Sequence, residues 1–136
     1  MKITLKRKNE VFHYEAENED HLKVNIDANP AIGGEGKGVR PMELVLMSLA
    51  GCASIDLGLI LKKQRQELID YEVEVTATRS EDVAKTFKSI HLHFILTGHL
   101  EAEKVEKAIE LTLTKYCSVA LSLRKDIDIT ADFEIK

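Results

Sequence analysis

Residues 41–67 read PMELVLMSLAGCASIDLGLILKKQRQE. Pro41 suits a first helical turn, where a missing N–H costs nothing, and Glu43 brings a carboxylate to the positive end of the helix dipole. The stretch predicts one helix from Pro41 to about Glu67. Its first two thirds are apolar on all sides, and its last third, Lys62–Gln66, is polar. Such a helix starts in a core and ends in water. A 136-residue chain has few elements with which to cover it, so a homodimer that shares the helix is the economical arrangement. Gly51 and Gly58, seven apart, share a face and invite close approach by another backbone. Residues 42–61 approach the roughly 20 apolar residues that cross a bilayer. Glu43 and Asp56 inside that window are costly in lipid, which favours a core helix and no membrane.

Working outward, Lys2–Arg7, Val11–Ala16 and Leu22–Asp27 alternate polar and apolar residues and predict antiparallel strands joined by polar turns. Asn29–Gly38 is rich in glycine. It lacks the GxxxxGK[ST] order of a phosphate loop and is read as a flexible connection. After the helix, Tyr71–Arg79 and Ser89–Gly98 have period two and predict half-buried strands joined around Ser80–Thr86. Residues 101–123 carry apolar positions at helical spacing with a break near Tyr116–Ser118, and Ile127–Ile135 closes the chain as a strand. The order predicts an α+β fold, antiparallel sheets packed on a long buried central helix, as one domain over residues 1–136.

The bulk composition excludes several function classes. A net charge of −4 is a poor match to nucleic acid, which needs clustered positive surface. The N-terminus has no apolar run of the secretory kind, so a cytoplasmic location is expected. In that reducing compartment the two cysteines, Cys52 and Cys117, are inert core thiols or a redox pair. Their separation excludes CxxC zinc and thioredoxin-type motifs. His91 and His93 alternate along one strand, but no third ligand lies nearby in sequence, and no metal site is assigned.

A reactive cysteine works as its thiolate and needs a donor, a cation or a helix terminus to lower its pKa. Cys52 lies mid-helix, with Ser48 one turn before it as a possible donor and Asp56 one turn after as an opposing charge. Local sequence leaves nucleophile and packing residue both open.

The stretch GEGKGVRPMELVLMSLAGCASIDLGLILKK, together with KYCSVALSL around Cys117, resembles the OsmC/Ohr family of osmotically induced and organic-hydroperoxide-resistance proteins. The likeness extends over essentially the whole chain. It rests on a proline eleven residues before the first cysteine, Ala50–Gly51 just before it, and a second cysteine at a helix start. The resemblance implies an intertwined homodimer, a cofactor-free thiol peroxidase acting on organic or inorganic hydroperoxides, and an external dithiol reductant. It makes Cys52 the peroxidatic and Cys117 the resolving cysteine. It also implies a glutamate after the proline that orients an arginine. Here that position is Met42, the acid is Glu43, and Arg40 is the preferred arginine. Val45 and Leu49 are expected to line an apolar substrate pocket. The alternative within the same fold is a non-enzymatic protein that binds a small apolar or thiol-containing ligand at the dimer interface.

Overall fold

The computed structural model describes residues 1–136, which fall into two compact units, Met1–Met47 and Ser48–Lys136.

In the first unit, β1 (Thr4–Arg7), β2 (Tyr14–Glu17) and β3 (Lys23–Ile26) form an antiparallel sheet in sequence order. The β2–β3 turn is closed by Asn18, whose side chain accepts the backbone N–H groups of Asp20 and Leu22. The glycine-rich connection is not the flexible linker its composition suggests. Asp27, 2% exposed, accepts N–H groups from Ala28 at 2.7 Å and from Glu35 and Lys37 at 3.0 Å each. Glycine is required at position 34, where a Cβ atom would stand 1.8 Å from the Ala28 carbonyl oxygen. A short 3-10 turn, Pro30–Ile32, capped by the Asn29 side chain, completes the loop.

The long helix α1 runs Pro41–Lys63, four residues shorter than expected. Its end is a Schellman motif: Gln66 N–H bonds the Leu61 carbonyl, Arg65 N–H bonds that of Lys62, and Arg65 takes φ 57. These bonds satisfy carbonyls that the helix leaves open and turn the chain into the next strand.

In the second unit, β4 (Glu67–Arg79) and β5 (Phe87–His99) form a long hairpin, and β6 (Asp128–Ile135) lies on the other side of β5. The β5–β6 pairing is parallel, which corrects the expectation of purely antiparallel sheets. The cause is topological: the helices α2 (Ala102–Leu111) and α3 (Ser118–Ser122) intervene, and a helical crossover delivers the next strand parallel. One sheet face is apolar. Ile90, Leu92, Phe94 and Leu96 on β5 are fully buried, with Ala77, Val75, Val73 and Tyr71 as their partners on β4 and Ile129, Ala131, Phe133 and Ile135 on β6. Leu49, Ala53, Leu57 and Leu61 of α1 and Val105, Ala108 and Ile109 of α2 complete the core.

The central helix is buried along one stripe only. Ile55 and Leu59 are 67% and 54% exposed. Nothing lies within 4 Å of a Cβ added at Gly51 or Gly58, so no backbone of this chain makes the close approach that those glycines permit.

Candidate active site

Cys52 sits on α1 at a half-buried position. Cys117 is fully buried where the helical run breaks. The break arises after α2, where residues Thr112–Tyr116 form a π-turn closed by a Cys117 N–H bond to the Thr112 carbonyl at 2.8 Å. Such wider turns interrupt helices at functional positions. The backbone then becomes extended at Cys117 (φ −66, ψ 100), and α3 begins at Ser118 with the Cys117 sulfur accepting the Ala120 N–H at 3.4 Å. Cys117 thus caps the short helix and is held by its backbone.

This junction faces Cys52. Cys52 Sγ lies 3.7 Å from Ser118 Oγ and 3.9 Å from Asp56 Oδ2. The two sulfurs and an Asp56 oxygen all lie within 4.8 Å of one another. The approach of the α2–α3 junction to α1 thus brings the two thiols together.

The two thiols differ in acidity. At Cys52 burial acts to raise the pKa, but it is outweighed by the Val119 backbone N–H, the Cys117 thiol and the Ser118 hydroxyl, all donating to the thiolate; Asp56 opposes them through its charge. The net direction is down. At Cys117 burial dominates and, with the negative Cys52 beside it, pushes the thiol up to about 11. Of the two thiols, Cys52 therefore loses its proton the more readily, and Cys117 keeps its own to higher pH. Ser118 and the Val119 amide were not legible as partners of Cys52, because they lie 66 and 67 positions away and only the α1–α3 approach brings them in.

Arg40 and Glu43 stand in the first unit at the start of α1. The Glu43 carboxylate accepts the Arg40 backbone N–H at 2.8 Å, a capping contact that anchors the helix start. Leu49 is fully buried in the core and so cannot line an open substrate pocket as expected.

The polar face of the second sheet holds a further cluster. His91 Nε2 and His93 Nδ1 approach the same Asp132 oxygen at 3.2 and 2.5 Å, and Thr130 Oγ1 lies 2.8 Å from His91 Nδ1. Asp132 is the neighbour the sequence did not reveal: the parallel β5–β6 register places it opposite His93, 39 positions away.

The OsmC-like protein family matches residues 34–132, across both cysteines and most of the second unit. The chain belongs to the OsmC-like family. Protein YhfA of Escherichia coli K12 is 46% identical over 100 residues, covering 73% of this chain and 75% of that protein. Organic hydroperoxide resistance protein-like 1 of Staphylococcus epidermidis is 26% identical over 118 residues, 85% of this chain and 84% of that one. An OsmC-like protein from Mycoplasma pneumoniae shares the fold, with a TM-score of 0.83 at 19% identity, over 98% of this chain and 95% of that one.

Proposed function

We propose that this OsmC-like protein is a thiol peroxidase that reduces hydroperoxides through Cys52 and Cys117. The observation that carries the reading is the pair of sulfurs on separate elements, brought within 4.8 Å with opposite pKa shifts. The Cys52 thiolate attacks one peroxide oxygen; the O–O bond breaks, the alcohol or water leaves with a proton from solvent, and Cys52 becomes a sulfenic acid. The Cys117 sulfur then attacks the Cys52 sulfur, water leaves, and a disulfide forms for an external dithiol to reduce. Arg40 is proposed to meet the peroxide, and Glu43, which accepts the Arg40 backbone N–H, to fix the backbone that carries it. The active form is proposed as a cytoplasmic homodimer in which a second copy covers the exposed face of α1. That helix is long and apolar enough to cross a membrane, but its buried leucine stripe supports its reading as a core helix.

The test is stopped-flow mixing of reduced protein with cumene hydroperoxide or hydrogen peroxide. Two thiols are consumed rapidly, none rapidly in Cys52→Ser, and only a sulfenate accumulates in Cys117→Ser. Oxidation no faster than that of free cysteine overturns the reading in favour of a non-enzymatic ligand-binding protein. Arg40→Ala slows peroxide consumption more than it slows alkylation of Cys52 if the guanidinium serves the peroxide.

A further inference from the structure

Cys52 and Asp56 are four residues apart on α1 and therefore project from the same helix face, while Cys117 comes from the α2–α3 junction. A tetrahedral zinc site with two sulfur ligands and one oxygen ligand requires donor separations of about 3.6–3.8 Å. The Cys52–Asp56 separation is 3.9 Å, and all three donor atoms fall within 4.8 Å of one another. No separation in that set exceeds the tetrahedral value by more than about 1 Å. Ser118 Oγ, 3.7 Å from Cys52 Sγ, or a water completes the fourth position. An aspartate beside a nucleophilic thiol repels its thiolate, whereas a divalent cation makes both groups favourable at once. We propose that Cys52, Asp56 and Cys117 form a binding site for a soft divalent cation of the zinc type, which withholds both thiols from oxidation while it is bound.

The donor set decides the class of ion. Thiolate ligands favour zinc and related soft ions over magnesium or calcium. Binding exchanges two thiol protons for the cation: one M2+ enters, two S–H bonds break, two metal–sulfur bonds form, and two protons are released to solvent. The half-buried positions of Cys52 and Asp56 leave the ion a path of entry. The bound cation then draws electron density from both sulfurs and occupies the face of Cys52 open to solvent, so attack on a peroxide is suppressed. This protective consequence rests on the peroxidase reading, whereas binding itself does not.

The experiment titrates fully reduced protein with Co2+, then displaces it with Zn2+. One Co2+ binds per chain with thiolate-to-cobalt charge-transfer absorption and release of thiol protons, and zinc abolishes the absorption as it displaces the cobalt. The absorption is lost in Cys52→Ser and in Cys117→Ser, and Asp56→Asn weakens affinity by about tenfold or more. Thiol counting and circular dichroism confirm that each variant is reduced and folded. Absence of charge transfer in folded, reduced wild type, or unchanged affinity in folded Asp56→Asn, overturns the site. Peroxide consumption without metal binding defeats this proposal alone; metal binding without peroxide consumption defeats the peroxidase reading alone. Where both hold, stoichiometric zinc blocks consumption of the two thiols by cumene hydroperoxide, and a chelator restores it; unimpeded oxidation of the zinc-loaded protein overturns the protective role.

Discussion

The two units of this chain are held together by different physics. Every buried apolar side chain lies in Ser48–Lys136, whereas the fully enclosed residue of Met1–Met47 is a carboxylate, Asp27. The first unit exposes Ile3, Leu5, Leu22, Val24 and Ile32, each at least 43% accessible. Its order comes from strand pairing and from three amides gathered on Asp27. A three-stranded sheet with no buried apolar face is marginal in water. The second unit buries its apolar sheet face beneath helices and can hold two thiols at fixed positions. The rigidity that chemistry needs therefore resides in the second unit, and the first leaves apolar side chains uncovered.

The largest expected effect is in the second core. Phe94→Ala or Leu57→Ala removes a fully buried side chain and costs about 2–5 kcal/mol, measured by denaturant unfolding; a loss below 1 kcal/mol breaks the contrast. Leu5→Ser and Val24→Ser, in the first unit, act instead through association: the proposed dimer weakens, and the melting temperature becomes more dependent on concentration. Unchanged mass by light scattering in both variants defeats the view that a second copy covers these side chains.

Asp27→Ala leaves three backbone donors without their acceptor and is expected to destabilise the first unit more than any single apolar change there, read as faster hydrogen exchange of Glu35 and Lys37. The Lys37 N–H foremost, then those of Glu35 and Ala28, hold the Asp27 pKa below its ordinary value. The stability it contributes is present above the unfolded carboxylate pKa and is lost as pH falls through the lower folded value. A smaller effect is kinetic. Alkylation of Cys52 accelerates with rising pH around a midpoint below that of ordinary cysteine; Ser118→Ala moves the midpoint up and Asp56→Asn moves it down. The smallest concerns His93, raised by its bond to Asp132. Asp132→Asn lowers its NMR titration midpoint. The His93–Asp132 contribution to stability is complete below the unfolded histidine pKa and fades as pH rises through the higher folded one.

Much of the fold was legible because it is written in local periodicity. The strands of both sheets, the start of α1 at Pro41, the hairpin around Ser80–Thr86 and the break at Cys117 all follow from alternation, helical spacing and turn residues. What local pattern does not carry shares a cause. The end of α1 is not marked in the sequence, because a polar run can continue a helix until a residue such as Arg65 adopts the left-handed conformation. The glycine loop read as flexible because composition does not show that Asp27 gathers its amides. Two cysteines stood out in the sequence, but their electrostatic partners did not: Ser118 and Val119 reach Cys52 only through packing.

By itself the sequence determined the elements, the family membership and the presence of two thiols in helical settings, since these depend on near neighbours along the chain. Tertiary structure decided which groups share a site. Burial raises Cys117, converging donors lower Cys52, and a parallel crossover brings Asp132 to two histidines; each depends on distances across elements that no spacing in the chain encodes.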